Sequence, residues 1–268
     1  MTTLAVQYDR ENADCEKLAQ KLDLPLINAP AQHEGLLLSY RNNRLTLSQP
    51  MARDAGAVCV DFCDTRLSFR LAQSLSREAV VKAVGGLAPK QSETGTAPHL
   101  IDATAGLGQD AFILAAAGWQ VSLVEQSPVI HALLEDGLQR ARVAAMAPPH
   151  QRLLETILPR LHLCEPGNSL TVLPTLPVAS VIYLDPMFPA REKTARVKKN
   201  RYLLQHLHGE EGVGEGLLPL ALSLATKVVV KRPRLAQPLA SMAPASSLTG
   251  KTSRFDIYVG SPDRSAAQ

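Results

Sequence analysis

The sequence lacks the long apolar runs of a membrane protein and the leader of a secreted one. None of its apolar stretches approaches the ~20 residues that a bilayer-spanning helix needs. The first residues include acids at Asp9, Glu11 and Asp14, which do not fit a signal peptide. With 268 residues, 46% of them hydrophobic, the chain can bury one good core and a smaller one. We therefore expect a soluble, cytoplasmic, globular protein of one or two domains.

Cysteine is also scarce, which argues against two further classes of protein. The four cysteines, Cys15, Cys59, Cys63 and Cys164, are scattered, and no two of them form a Cys-x-x-Cys pair. A disulfide scaffold and a cysteine metal site are therefore not expected, and no metal is assigned. We interpret all four as buried thiols. Cys59 and Cys63 are predicted to share one face of a strand over residues 58–63, because alternate strand residues point the same way.

The chain has no strong charge of one sign, since its net charge is only +3. A total this small does not by itself indicate a polyanionic partner. The basic residues are unevenly spread, however, and six of them occupy eleven positions in which Glu192 is the only acid: Arg191, Lys193, Arg196, Lys198, Lys199 and Arg201. We call residues 191–201 the basic segment. It is a candidate for contacts with RNA phosphates, and a solvated loop is the alternative interpretation.

Two domains are expected. Residues 1–90 are predicted to form a small mixed α/β domain and residues 91–268 a larger one. A helical stripe of apolar residues from Leu71 to Ala83 stops at Gly85-Gly86, a suitable C-terminal cap. Residues 88–98 are rich in Pro, Gly, Ser and Thr without apolar periodicity, which is typical of a linker.

From residue 99 onward, strand-like and helix-like segments alternate, which indicates a parallel sheet with helices on both faces. Residues 181–184 and 228–230 are apolar throughout, as expected for strands that are covered on both sides. Ser127 and Pro128 suit the N-cap and first residue of a long helix. Residues 255–259 are expected to add a late edge strand. The predicted fold class is α/β, with a mostly parallel sheet that binds ligands beyond the carboxyl ends of its strands.

A glycine-rich turn follows the first strand of this sheet, in Asp102-Ala103-Thr104-Ala105-Gly106-Leu107-Gly108-Gln109-Asp110. Its small residues let the backbone approach a ligand, and the amides of Gln109 and Asp110 can donate to that ligand from the start of the next helix. A dinucleotide site is a real competitor, because Gly-x-Gly-x-x-Ala is present and Glu125 follows ~20 residues later. One detail argues against a dinucleotide site. Four residues, counted from Asp102, precede the first glycine here, whereas the strand of a dinucleotide site usually leads directly into its glycines.

A second motif ends a later strand, where the apolar residues 181–184 run directly into Asp185-Pro186-Met187-Phe188. The Asp185 carboxylate and the Pro186 carbonyl can accept hydrogen bonds, and Phe188 offers a flat face for stacking. These groups suit a planar exocyclic amine. Asp185, Pro186 and Phe188 are therefore the candidate catalytic residues.

Together the two motifs resemble those of the class I methyltransferases, which use S-adenosylmethionine (SAM), with a Rossmann-like sheet. The second motif is similar to the Asp/Asn/Ser-Pro-Pro-aromatic motif of amino methyltransferases, from which Met187 departs. In this resemblance, the cofactor is held by residues of both motifs and by residues at the ends of two strands between them. They are Asp102 and Gly106 for the methionine part, Glu125 for the ribose, Gln126, Asn168 and Ser169 for the adenine, with Gln109, Asp110 and Asp185.

Four longer segments make the resemblance more specific. They are Asp-Ala-Thr-Ala-Gly-Leu-Gly-Gln-Asp-Ala-Phe at 102–112, Tyr-Leu-Asp-Pro-Met-Phe-Pro at 183–189, Val-Lys-Arg-Pro at 230–233 and Arg-Phe-Asp-Ile-Tyr at 254–258. They are similar to the bacterial ribosomal RNA small subunit methyltransferase J family. The resemblance implies methylation of N2 of one guanine near the 3′ end of 16S rRNA, with 16S rRNA or the small ribosomal subunit as partner.

Three alternatives stay open. A protein glutamine methyltransferase or another nucleobase amino methyltransferase would use the same acceptor groups, although the basic segment argues against a protein substrate. A non-catalytic RNA-binding protein on the same fold would leave both motifs without a purpose. An NAD-dependent dehydrogenase is the least favoured, because the second motif has no role in hydride transfer.

Overall fold

The computed structural model describes residues 3–9, 13–51, 57–89, 98–186, 207 and 216–262. The chain divides into two compact units, which are described separately. Apart from Leu207, the described residues of the first unit come from Met1–Asp61 and Ser127–Arg140. Those of the second come from Phe62–Gln126, Ala141–Pro186 and Gly212–Gln268. The expected domain boundary near residue 90 stays a prediction.

Helices and strands alternate along much of the described chain. The α-helices are α1 (Asp14–Leu22), α2 (Thr65–Ala72), α3 (Ala79–Val84), α4 (Gln109–Ala116), α5 (Pro128–Ala144), α6 (Gln151–Ile157), α7 (Ser169–Val172) and α8 (Leu217–Leu224). The strands are β1 (Leu4–Gln7), β2 (Leu26–Ile27), β3 (Leu36–Arg41), β4 (Arg44–Ser48), β5 (His99–Asp102), β6 (Gln120–Leu123), β7 (Leu161–Leu163), β8 (Ala179–Leu184), β9 (Ala225–Pro233), β10 (Ser246–Thr249) and β11 (Ser253–Val259).

The first unit contains a four-stranded sheet in the order β2-β1-β3-β4. Strand β1 is parallel to both of its neighbours, and β3 is antiparallel to β4. The β3–β4 turn has Asn42 and Asn43 at φ of 51° and 57°, a left-handed region that asparagine tolerates better than most residues. Helix α5 contributes Asp136, whose Oδ2 accepts a hydrogen bond from the Leu45 amide of β4 at 3.2 Å. The described part of the first unit therefore joins strands that precede Asp61 to the start of α5, more than 60 residues later in the sequence.

The strand predicted over residues 58–63 is wrong, because in this segment Val58 alone makes a β-bridge, to Leu47 of β4. Cys59 and Cys63 are also only partly buried, which corrects the prediction that both are buried thiols. The residues that alternate with these cysteines, Val58, Val60 and Phe62, are the buried ones. The other two cysteines are buried, as predicted.

The second unit contains a seven-stranded sheet in the order β10-β11-β9-β8-β5-β6-β7. The five strands from β9 to β7 are mutually parallel, and β11 and β10 are antiparallel to their neighbours. The predicted fold class, α/β with a mostly parallel sheet, is confirmed. Val228, Val229 and Val230 of β9 are fully buried, as their unbroken apolar run indicates. Strand β11 was expected at the edge, but it lies inside the sheet because β10 pairs with its outer side.

The helix predicted over Leu71–Ala83 is interrupted. Helix α2 ends at Ala72, Gln73 and Glu78 have extended backbone, and a short 3₁₀ turn lies between them before α3 begins. Gly85 ends α3 at φ 118°, as predicted for a C-terminal cap. Most of the predicted linker, residues 90–97, lies outside the described residues. No helix in the described part of the chain is long and apolar enough to cross a membrane.

Candidate active site

The candidate site lies at the carboxyl ends of three neighbouring parallel strands, all within the second unit. The sheet register pairs Asp102, the last residue of β5, with Leu123 of β6 and with Tyr183 of β8. Glu125 follows β6 by two residues, and Asp185 directly follows β8. Because parallel strands end at the same edge of a sheet, the three predicted acids are brought to one edge, where ligands of such sheets bind.

The glycine-rich turn has the conformation and the space that a ligand-binding loop requires. Gly106 and Gly108 have φ of 53° and 71°, which glycine adopts without steric cost. The Gly106 amide donates to Oε2 of Glu125 at 2.8 Å, so the turn is tied to the end of β6. Among the described residues, a Cβ placed on Gly106 would come within 4 Å of the Thr104 carbonyl oxygen alone, at 3.8 Å. The described residues therefore leave space beside Gly106 that a ligand can fill.

Asp102 is the most enclosed carboxylate of the site. It is 2% exposed, and its Oδ1 accepts a hydrogen bond from the Thr104 amide at 3.1 Å. Burial raises the pKa of Asp102 well above its usual value, the charges of Asp110 and Asp185 add to the effect, and the Thr104 amide and Lys231 oppose it. Through its hydrogen bond to the Thr104 amide, Asp102 therefore helps to fix the conformation of the glycine-rich turn.

Asp110 is predicted to contact the cofactor through its backbone amide, and its carboxylate lies in a cluster with side chains of the sheet. Its Oδ2 accepts from the Tyr183 hydroxyl at 2.8 Å and from Nζ of Lys231 at 2.7 Å. Burial alone would raise the pKa of Asp110, but Lys231, Tyr183 and Arg70 outweigh it and lower that pKa. Burial, followed by the charges of Asp110, Asp185 and Asp102, raises the pKa of Tyr183 far above its ordinary value. Asp110 is therefore held ionised beside a neutral phenol.

Asp185 is joined to both the glycine-rich turn and β9. Its amide donates to Oγ1 of Thr104 at 2.6 Å, and its Oδ2 forms an ion pair with Nζ of Lys231 at 2.8 Å. The Asp185 side chain is 37% exposed, whereas Pro186 after it is buried. The acceptor carboxylate can thus face a ligand while its backbone is fixed.

The predicted adenine contacts lie on the loop after β7, apart from Gln126, which follows β6 and is partly buried. The Asn168 side chain accepts from the Leu170 amide at 2.9 Å and caps α7. Buried Ser169 donates from Oγ to the Ala103 carbonyl at 2.5 Å, and the Gly167 amide donates to the Glu125 carbonyl at 3.0 Å. This loop is therefore attached to the glycine-rich turn and to the end of β6.

Several predicted residues cannot be placed. Phe188 and the whole basic segment lie outside the described residues. Gln109 is placed, at the exposed first position of α4. Within the described ranges, no group of three or more His, Cys, Asp or Glu could hold a metal ion.

Thr104, Tyr183 and Lys231 were not among the predicted site residues, although all three contact predicted ones. Tyr183 precedes the second motif on β8, and Lys231 lies in the Val-Lys-Arg-Pro segment on β9. The register that pairs Leu184 with Val230 places Asp185 beside Lys231. Only the order of the strands in the sheet could have revealed that pair.

The chain is similar to methyltransferases over nearly its whole length. A family model described as a SAM-dependent methyltransferase matches residues 17–260. The chain is 42% identical over 265 residues to the ribosomal RNA small subunit methyltransferase J of Thioalkalivibrio sulfidiphilus, covering 96% of this chain and 98% of that relative. It is 43% identical over 247 residues to the protein of the same name from Pseudomonas savastanoi pv. phaseolicola, covering 91% and 86%.

A solved structure of a methyltransferase is also similar to this chain. The crystal structure of a SAM-dependent methyltransferase from Neisseria gonorrhoeae superposes with a TM-score of 0.70 at 28% sequence identity, and the match covers 99% of each chain. The sheet edge described above, with its glycine-rich turn and its strand-terminal acids, is therefore part of a fold already seen in a methyltransferase.

Proposed function

The chain belongs to the ribosomal RNA small subunit methyltransferase J family of SAM-dependent methyltransferases, and from that premise we propose that it methylates the exocyclic N2 of a guanine in 16S rRNA. The observation that carries the proposal is the hydrogen bond of 2.6 Å between the Asp185 amide and Thr104. It joins an amine-acceptor motif to a turn suited to SAM. The relatives' name supports RNA of the small subunit as substrate, and the acceptor motif supports an amine as the target group.

The glycine-rich turn and its neighbours fit the methionine and ribose parts of SAM. When bound, the cofactor supplies an electrophilic methyl group on a sulfonium. Gly106 would face the methionine part across the open space beside its α-carbon, with Asp102 supporting the turn. Glu125 would accept from the ribose hydroxyls, and its bond to the Gly106 amide keeps it at that edge.

The other end of the cofactor would lie against the loop after β7. Asn168 uses its carbonyl oxygen as a helix cap, so its amide group would donate to the adenine. Ser169 uses its hydroxyl proton on Ala103, so its oxygen would accept from the adenine amine. Gln126 would lie against the ring. Because the Asp110 carboxylate is held by Tyr183 and Lys231, this residue would serve through its backbone amide, as would Gln109.

The main task of the protein is then to align the amine lone pair with the methyl carbon, and such positioning supplies much of the rate in reactions of this kind. A guanine amine is conjugated with its ring and is a poor nucleophile. Hydrogen bonds from the amine to the Asp185 carboxylate and the Pro186 carbonyl would help the nitrogen become pyramidal. As the nitrogen–carbon bond forms and the carbon–sulfur bond breaks, one amine proton leaves, for which Asp185 is a suitable acceptor. Phe188 would stack on the base.

The basic segment would hold the RNA strand. A base inside folded RNA must leave its neighbours to reach such a pocket, which costs a few kcal/mol. Phosphate contacts fix the position of the strand without reading its sequence. Six basic residues with one acid in eleven positions provide the charge for such contacts.

The first experiment tests Asp185. Small subunits and naked 16S rRNA, both from cells that lack this protein, are incubated with labelled SAM, and the nucleosides are identified by mass spectrometry. We expect N2-methylguanosine with the wild type and a loss of about 10²–10³-fold in kcat for Asp185→Ala, as for removal of one positioned hydrogen-bonding group at a transition state. SAM affinity, measured by calorimetry, should change far less. Glu155→Ala, which alters an exposed acid on helix α6 of the same unit, is the matched control.

Two outcomes would contradict the proposal. Full methyl transfer by Asp185→Ala with normal SAM binding would remove the acceptor role. Label in protein and none in rRNA would favour the protein glutamine alternative, and label on another base position would move the target away from guanine N2.

The second experiment tests the basic segment. Reversing Lys198 and Lys199 to Glu should weaken RNA binding and reduce the slope of log affinity against log salt concentration, because fewer counterions are released. Fluorescence anisotropy with a labelled 16S rRNA fragment at several salt concentrations measures both effects. RNA affinity equal to that of the wild type at every salt concentration would remove the segment from the binding surface.

A further inference from the structure

Lys231 lies between two carboxylates that belong to different parts of the site. Its Nζ is 2.7 Å from Oδ2 of Asp110 at the start of α4 and 2.8 Å from Oδ2 of Asp185 at the end of β8. Tyr183 donates to the same Asp110 oxygen at 2.8 Å. The four side chains thus form a continuous chain, Tyr183–Asp110–Lys231–Asp185, from the strand that precedes the acceptor motif to the acceptor itself.

The cluster is partly shielded from water, so its charges interact more strongly than surface charges do. The side chains of Lys231, Asp110 and Asp185 are 29%, 18% and 37% exposed. Burial alone would lower the pKa of Lys231, but the two carboxylates more than reverse this and raise it. Lys231 therefore stays a cation at every pH at which the enzyme would work.

We propose that Lys231 is a positioning residue for methyl transfer, which orients the Asp185 carboxylate toward the substrate amine and fixes it relative to helix α4 through Asp110. This inference rests on the proposed function, in which Asp185 accepts from that amine. Lys231 itself contacts neither the methyl group nor the base. Its effect on the reaction passes through Asp185.

The geometry gives Lys231 two separate effects on Asp185. First, charge-assisted hydrogen bonds are directional and strong, so the bond of 2.8 Å restricts the rotation of the Asp185 side chain. Second, the cation separates two carboxylates that would otherwise repel each other. Without it, one of the two would take up a proton more readily, since a nearby like charge favours the neutral acid.

The pH dependence follows from the titratable groups that act on Asp185 or Asp110 within the described residues. They are Asp102 from β5, Asp110 from α4, Tyr183 from β8, Lys231 from β9 and Arg70 from α2, which acts on Asp110. Tyr183 is neutral and Asp102 favours its neutral form, because burial raises the pKa of both. Removing Lys231 takes away the cation that contacts both carboxylates, so a carboxylate of the pair should gain its proton at higher pH.

The experiment compares Lys231→Met, Lys231→Arg and Tyr183→Phe in the full-length protein, with 16S rRNA and SAM as substrates. For Lys231→Met we expect a loss of about 100-fold in kcat, the size that a misplaced reacting group can produce. We expect little change in the KM for RNA, SAM affinity within a small factor of the wild type, and a shift of the acidic limb of the kcat–pH profile to higher pH. Lys231→Arg should recover much of the activity, because it keeps the charge.

Lys227→Met is the matched control. It removes a lysine from the same strand whose Nζ donates to the Val84 carbonyl. We expect its kcat and pH profile to equal those of the wild type. Tyr183→Phe removes a single hydroxyl from Asp110, so it should lower kcat by less than Lys231→Met does. This milder variant tests the same chain of contacts if the lysine variant does not fold.

The outcomes separate this inference from the proposed function. Normal kcat and an unshifted pH profile in Lys231→Met, with Asp185→Ala inactive, would overturn the role of Lys231 and leave the acceptor role intact. Full activity in Asp185→Ala would overturn the acceptor role itself. A lower melting temperature in Lys231→Met, with wild-type kcat per folded molecule, would show that Lys231 serves stability alone and would also refute the inference.

Discussion

Replacing Thr104 by valine removes the hydroxyl that joins the glycine-rich turn to the end of β8. In the structure Oγ1 of Thr104 accepts from the Asp185 amide at 2.6 Å. Valine has a similar shape but cannot accept a hydrogen bond, so the amide loses this partner. Loss of an acceptor for a shielded donor costs about 1–3 kcal/mol. We expect the free energy of unfolding to fall by about that amount.

The same substitution should slow methyl transfer, because the hydrogen bond also sets the position of Asp185 relative to the turn. If about 1.4 kcal/mol of the loss appears in the transition state, kcat falls about tenfold. Urea denaturation followed by circular dichroism measures the stability, and incorporation of labelled methyl into 16S rRNA measures the rate.

Two control variants isolate the hydroxyl. Thr104→Ser keeps the acceptor oxygen and should retain most of the stability and rate. Thr175→Val removes an exposed hydroxyl of the same unit that donates to the Val172 carbonyl at 2.8 Å. It should change stability by no more than about 0.5 kcal/mol. Wild-type stability and rate in Thr104→Val, or a loss in Thr104→Ser as large as in Thr104→Val, would refute the role of this hydroxyl.

Three further predictions concern other contacts. Burial raises the pKa of Asp102 in the folded state, so the wild type loses stability as the pH rises from the unfolded pKa through the folded one. The Asp102→Asn variant should lack this loss. If the urea denaturation midpoint falls equally in the wild type and the variant between pH 4 and 8, the role of Asp102 in this pH dependence is contradicted. Alkylation followed by mass spectrometry should label half-buried Cys59 before Cys164, because burial hides the Cys164 thiol and raises its pKa; the reverse order would be inconsistent with the structure. Gly137→Ala would place a Cβ 2.4 Å from Cγ1 of Val60, and such overpacking should lower the unfolding free energy by about 1–3 kcal/mol. An unchanged denaturation midpoint would show that this contact relaxes freely.

The strand ends of the site could be predicted because each is marked locally. Asp102 and Asp185 each end an apolar run, and a run covered on both faces is typical of a central parallel strand. The sheet edge follows from these runs, since parallel strands end together. Glu125 was likewise placed by the alternation of strands and helices. These positions depend on short segments, which a sequence shows directly.

Contacts between distant segments could not be predicted in the same way. Lys231 meets Asp185 only because β9 lies next to β8 in the sheet, and the order of strands is not written in either segment. The same reason explains the wrong edge position of residues 255–259, since β10 pairs outside them. The break between α2 and α3 could not be predicted, because the apolar stripe from Leu71 to Ala83 keeps its spacing across the extended residues.

The first unit is assembled from stretches that leave the ribosome at different times. Its described strands lie before Asp61. Asp136, which binds the Leu45 amide, and Arg140, which donates to the Val60 carbonyl, belong to a stretch that begins about 65 residues later. At about 5–20 residues per second, this delay amounts to several seconds of synthesis. During translation, the first unit can therefore complete its folding only after β5 and β6 of the second unit have been synthesised.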